Sequence, residues 1–201
     1  MRTFIVAAAA LCVVAGGAYA AQEKAGEPRP AEMNRQFEKA RTAFERHDLK
    51  TAATDIRSGQ AIVKQEADRA MGEDKDKLVA ASGDLNQLAT EVEAGKVTSV
   101  GRLNMEFARA QNRLADHYQK LASESWEKKD QNAATRAYET SKDYFTSAAR
   151  WTGEKAEDLY HGAKNVTGDA ISSLGDGVKK LGEKLDVTGR DDATATRGDT
   201  H

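Results

Sequence analysis

Two stretches decide the fold: ARTAFERHDLKTAATDI at residues 40–56 and ASESWEKKDQNAATRAY at residues 122–138. They share the pattern A-x3-[FW]-E-[RK]-x-D-x3-A-x3-[IY], and the second lies 82 positions after the first. Each reads as one helical hairpin. An aromatic residue, Phe44 or Trp126, closes the first helix, and Asp48 or Asp130 caps the second. A small residue, Ala52 or Ala134, lets the two helices approach closely.

Outward from these hairpins the apolar residues keep helical spacing. Met33, Phe37, Ala40 and Phe44 define one face, and Leu49, Ala52, Ile56, Val63, Ala67 and Ala70 a second, stopped by Gly72. Leu78, Ala81, Leu85, Leu88 and Val92 define a third, stopped by Ala94-Gly95. Val100, Leu103, Phe107, Ala110, Leu114 and Leu121 make a fourth, and Ala134, Tyr138, Ser141, Phe145 and Ala148 a fifth. Only two prolines occur, Pro28 and Pro30, and Pro30 suits the first turn of a helix. The pattern predicts an all-α protein over residues 30–152, an antiparallel bundle of about five long helices. The same seams could close within the chain or across a dimer, so the pattern leaves the oligomeric state open.

The paired stretches resemble a tetratricopeptide hairpin: small residue, aromatic, tight turn, then alanine and a large apolar residue. The segment from Arg113-Leu114-Ala115-Asp116 to Tyr138-Glu139, behind an exported N-terminal hairpin, resembles the YfdX-type family of small periplasmic helical proteins. That resemblance implies a TPR-like helical body with no established enzyme chemistry.

Residues 1–20 read as a secretory signal peptide, with Arg2, the apolar run Phe4–Ala15, and Ala18-Tyr19-Ala20 before the cleavage point. The apolar run is too short for a membrane anchor. A lipoprotein would need a small residue before Cys12, where Leu11 stands. Cleavage after Ala20 would remove that only cysteine and deliver a thiol-free protein to the periplasm, which excludes thiolate catalysis and zinc–thiolate or iron–sulfur sites. Residues 21–29 read as a flexible lead-in.

Past Trp151 the composition changes: eight glycines lie in residues 153–201, against five in residues 31–152. Ile171, Leu174, Val178, Leu181 and Leu185 still keep helical spacing over an amphipathic extension at 153–189. Gly175, Gly177 and Gly182 weaken that helix by about 1 kcal/mol each relative to alanine, so it must dock on something. The body, a partner protein or a lipid surface are all candidates. Residues 190–201 are polar and expected to be disordered.

Charge narrows the function. Thirty Lys+Arg against 32 Asp+Glu argue against a nucleic-acid binder. No nucleophile stands with a base and an orienting group, and no phosphate loop or metal motif appears, so no enzyme activity and no cofactor are expected. His117 falls on the core-facing seam of the fourth helix. The stretch from Gly95 to Lys120 resembles the last hairpin of haem-b cytochrome bundles, which implies Met33 and His117 as axial ligands in a haem or metal alternative. Tyr144 and Trp151, one heptad apart, would mark a peptide groove if they lie outside the core. The leading expectation is therefore an exported, non-enzymatic interaction or stress-protective protein that binds other proteins. The alternative is a peripheral membrane protein acting through Gly168–Val187, although net charge there is small.

Overall fold

The computed structural model describes residues 29–160 and 166–195. The expected signal peptide, most of the lead-in and the last six residues of the tail lie outside them. Seven helices and no strand occur among the described residues: α1 (Pro30–Glu45), α2 (Leu49–Arg69), α3 (Gly72–Glu93), α4 (Val100–Glu127), α5 (Gln131–Thr152), α6 (Ala156–Leu159) and α7 (Gly168–Ala195). The protein is an all-α helical bundle. None of these helices is long and apolar enough to cross a membrane.

The two hairpin turns are built alike. His47 and Lys129 take positive φ values of 60° and 62°. At the same places the Asp48 amide donates to the Ala43 carbonyl at 2.9 Å, and the Asp130 amide to the Ser125 carbonyl at 2.9 Å. Both aspartates then cap the next helix, Asp48 accepting from the Thr51 amide at 3.1 Å and Asp130 from the Ala133 amide at 3.0 Å. The left-handed residue satisfies otherwise orphaned carbonyls, and the carboxylate satisfies orphaned amides. Gly95 and Gly153, at φ 67° and 77°, end α3 and α5 in the same manner.

Short turns force antiparallel neighbours, and α1 packs on α2, α2 on α3, and α4 on α5. The long helix α4 also meets α1, α3 and α7, which makes it the central element. In the core Phe37 stacks on Phe107 with ring centroids 4.1 Å apart, and Trp151 meets both rings edge-on. Gly59 of α2 permits this, since a Cβ there would stand 2.4 Å from Phe37 Cε1.

Four expectations need correction. Leu121 is 36% exposed rather than on the core seam. Here α4 turns Tyr118 and Ala122 inward instead, because a 3.6-residue helix drifts off a seven-residue seam. Tyr144 and Trp151 are both buried in the core, although Trp151 also forms part of a groove wall described below. Their helix α5 is covered by α4 on one side and by α1 on another, which widens its buried arc. The C-terminal helix, expected to give way to disorder at 190, has 28 residues and reaches Ala195. A helix once formed extends at little cost, because each added residue contributes one further hydrogen bond. Finally, the amphipathic extension expected at 153–189 is not helical throughout: Gly153 ends α5, Ala156–Leu159 form the short α6, and α7 begins at Gly168.

Candidate functional site

Three surfaces of α4 carry the features that could do something. The first is polar. At the start of α3, Asp74 accepts from Lys120 Nζ at 2.5 Å, and its other oxygen lies 3.4 Å from His117 Nδ1. Lys120 also reaches Asp116 at 3.4 Å, and Lys77 reaches the same carboxylate at 3.6 Å. Burial works against ionisation of Asp74, yet Lys120 and His117 together hold its carboxyl below the usual range. Beside it, Tyr118 donates to the buried Glu66 at 2.9 Å, and Arg69 pairs with Glu66 at 3.2 Å. Burial, reinforced by the Glu66 charge, pushes the Tyr118 hydroxyl pKa upward. These groups neutralise one another across α2, α3 and α4, and tie the bundle together.

His117 is therefore buried, as its spacing predicts, but its partner is on α3 rather than among its sequence neighbours. Met33 is fully buried on α1. Neither residue lines the grooves described below. Among the described residues, no group of three or more His, Cys, Asp or Glu side chains is placed to hold a metal ion.

The second surface is an open groove of about 1340 Å³ between the start of α1, the second half of α4 and the first half of α5. Pro30, Ala31, Leu121, Ala133 and Ala137 supply its apolar lining. Arg29, Arg136, Glu139, Lys142 and Asp143 line it as well, with charges of both signs. Above Asn34 the groove is braced by a polar chain: Gln111 donates to Asn34 at 2.7 Å, and Asn34 donates to Ser147 at 2.5 Å. Sequence reasoning missed this site. Its one signal in the sequence is Leu121, which helical spacing places on the core seam.

The third surface is covered by α7. Ile171, Leu174, Val178, Leu181 and Leu185 are all buried, at 3% exposure or less, so the extension docks on its own body. A lipid or partner contact through these five residues would require α7 to leave α4. Beside the docked helix lies a groove of about 900 Å³, lined by Met105, Trp151, Leu159, Leu181 and Leu185 among others. Trp151 thus sits at its wall, while Tyr144 stacks on Tyr118 with centroids 5.9 Å apart, away from it. Comparison with protein-family models, with curated proteins and with solved structures gives no match.

Proposed function

We propose that this is an exported, non-enzymatic helical protein whose α1–α4–α5 groove receives a segment of a partner protein. The observation that carries the reading is Leu121. Three large apolar side chains are exposed among the described residues, Met71, Val79 and Leu121, and Leu121 is the one that lines this groove. Isolated exposed apolar residues need no explanation, whereas one set among alanines in a concave surface with a charged rim suits an incoming helix or strand. A groove of this kind supplies an apolar anchor point, and the rim of mixed charge selects among partners. The periplasmic setting comes from the N-terminal sequence pattern, and the mixed apolar and charged lining of the groove supports a binding role.

The test is site-specific photo-crosslinking in the cell, with the photoreactive residue placed at Leu121, Ala137 or Val79. The groove positions are expected to give discrete adducts that Val79 does not give. Adducts from Ala137 should disappear when Leu121→Glu is added. Equal labelling from all three positions, or none from the groove, would overturn the proposal.

A further inference from the structure

The contact between α7 and α4 has a repeat that neither hydrophobic spacing nor helix propensity explains. Glycines stand at 168, 175, 182 and 189, every seventh residue of α7. Opposite them, α4 runs antiparallel with Trp126, Gln119 and Asn112, again seven residues apart. A Cβ on Gly175 would stand 2.7 Å from Gln119 Nε2, one on Gly182 3.1 Å from Asn112 Nδ2, and one on Gly168 3.1 Å from Trp126 Nε1.

Gln119 and Asn112 of α4 use the space left at Gly175 and Gly182, and Arg109 reaches the next carbonyl in the series. Gln119 donates to the Ile171 carbonyl at 3.3 Å, Asn112 to the Val178 carbonyl at 3.2 Å, and Arg109 to the Leu185 carbonyl at 2.8 Å. These carbonyls also repeat every seven residues, and each lies four positions before a glycine: 171 before 175, 178 before 182, 185 before 189. The reason is geometric. A helical Cα–Cβ bond leans toward the N-terminus, so the side chain at i+4 covers the carbonyl of residue i. Glycine at i+4 bares that carbonyl, which then accepts a second hydrogen bond from a neighbouring helix while keeping its own.

The arrangement is selective. Asn112 is buried, and its Oδ1 has no hydrogen-bond partner, so its amide already stands under-satisfied in the contact. A helix without the glycine spacing would cover the carbonyls and leave the buried Asn112 amide with nothing to donate to, while Gln119 and Arg109 would keep only Ser123 and Glu106 of their own helix. Unpaired polar groups of this kind penalise the wrong partner more strongly than an apolar seam does. We propose that this face of α4 is a helix-recognition site selective for glycine at every seventh position. Helix α7 is its resident ligand, and a helix of the same pattern competes for it in trans. The site is separate from the α1–α4–α5 groove and does not depend on it.

The test uses the full chain carrying Gly175→Leu and Gly182→Leu, which disables its own α7. The probe is a fluorescent peptide of residues 166–195, read by anisotropy. The unaltered peptide should bind saturably, and a peptide with the same two leucines should bind about tenfold more weakly or worse, as expected for losing two hydrogen bonds. Asn112→Leu with Gln119→Leu in the chain should remove that preference. Equal binding of the two peptides would overturn the proposal, because apolar contact alone would then account for docking. So would hydrogen exchange showing the disabled α7 still as protected as in the unaltered chain. Should the double variant lose its helical signal, the unaltered chain gives the same decision. Excess unaltered peptide should speed exchange of the α7 amides and the leucine peptide should not, and no difference between them overturns the proposal.

Discussion

Replacing Gly59 by alanine tests the core most sharply, because two opposed effects have known sizes. Alanine favours a helix interior over glycine by about 1 kcal/mol, so on propensity alone the change stabilises α2. In the structure, however, the new methyl would lie 2.4 Å from Phe37 Cε1, 3.0 Å from Cδ1 and 3.1 Å from Cζ. The ring would have to retreat by about 1 Å to restore ordinary contact. Its retreat is blocked, since Phe107 stacks on it at 4.1 Å and Trp151 closes the edge. Overpacking of this sort costs about 1–3 kcal/mol, and the closed surroundings place it at the upper end. The net is a loss of about 2 kcal/mol. Gly83 is the control, since a Cβ there meets nothing within 4 Å. Gly83→Ala should therefore gain about 1 kcal/mol. In urea, followed by far-ultraviolet ellipticity, the midpoint should fall by roughly 1 M for Gly59→Ala and rise by roughly 0.5 M for Gly83→Ala. If Gly59→Ala is as stable as the parent, Phe37 does not sit over Gly59 and the α1–α2 packing is wrong.

Other expectations follow from the caps and the titrating groups. Asp48→Ala and Asp130→Ala each remove a helix cap and should lower Tm by roughly 2–4 °C, while His47→Gly and Lys129→Gly relieve left-handed backbone and should raise it by a similar amount. Because Asp74 is held below the usual carboxylate range, its contribution to stability is complete above about pH 4 and lost as pH falls through the lowered value. The stability gap between the parent and Asp74→Asn, measured by urea unfolding, should therefore close as pH falls below about 4. Burial raises the hydroxyl pKa of Tyr118, Tyr144 and Tyr160, so these three favour the fold below about pH 10 and oppose it as pH rises further. An ultraviolet titration should show their ionisation arriving together with unfolding rather than before it.

The helical seams were legible because burial follows spacing almost residue for residue. Met33, Phe37, Ala40 and Phe44 on α1, and all five seam residues of α7, are buried as their periodicity predicts. The capping aspartates were legible too, since a carboxylate before an alanine-rich run has one common use. What escaped was anything set by neighbours distant in sequence. Asp74 meets His117 across 43 positions, so no local pattern announces the pair. Leu121 was lost to drift of the seam along a 28-residue helix. The glycines of α7 were read as weakness in an isolated helix, which they are. Their seven-residue spacing was visible all along, but it acquires meaning only when the polar row of α4 stands opposite.

Whether α7 is held against the body is tested most directly by hydrogen–deuterium exchange of the full chain. Amides in the docked stretch, residues 172–185, should exchange about a hundredfold or more slowly than those of the free 166–195 peptide, with protection falling off toward Ala195. Exchange of that stretch at the rate of the free peptide would mean that α7 is not held by α4, and the carbonyl contacts of Gln119, Asn112 and Arg109 would have to be abandoned.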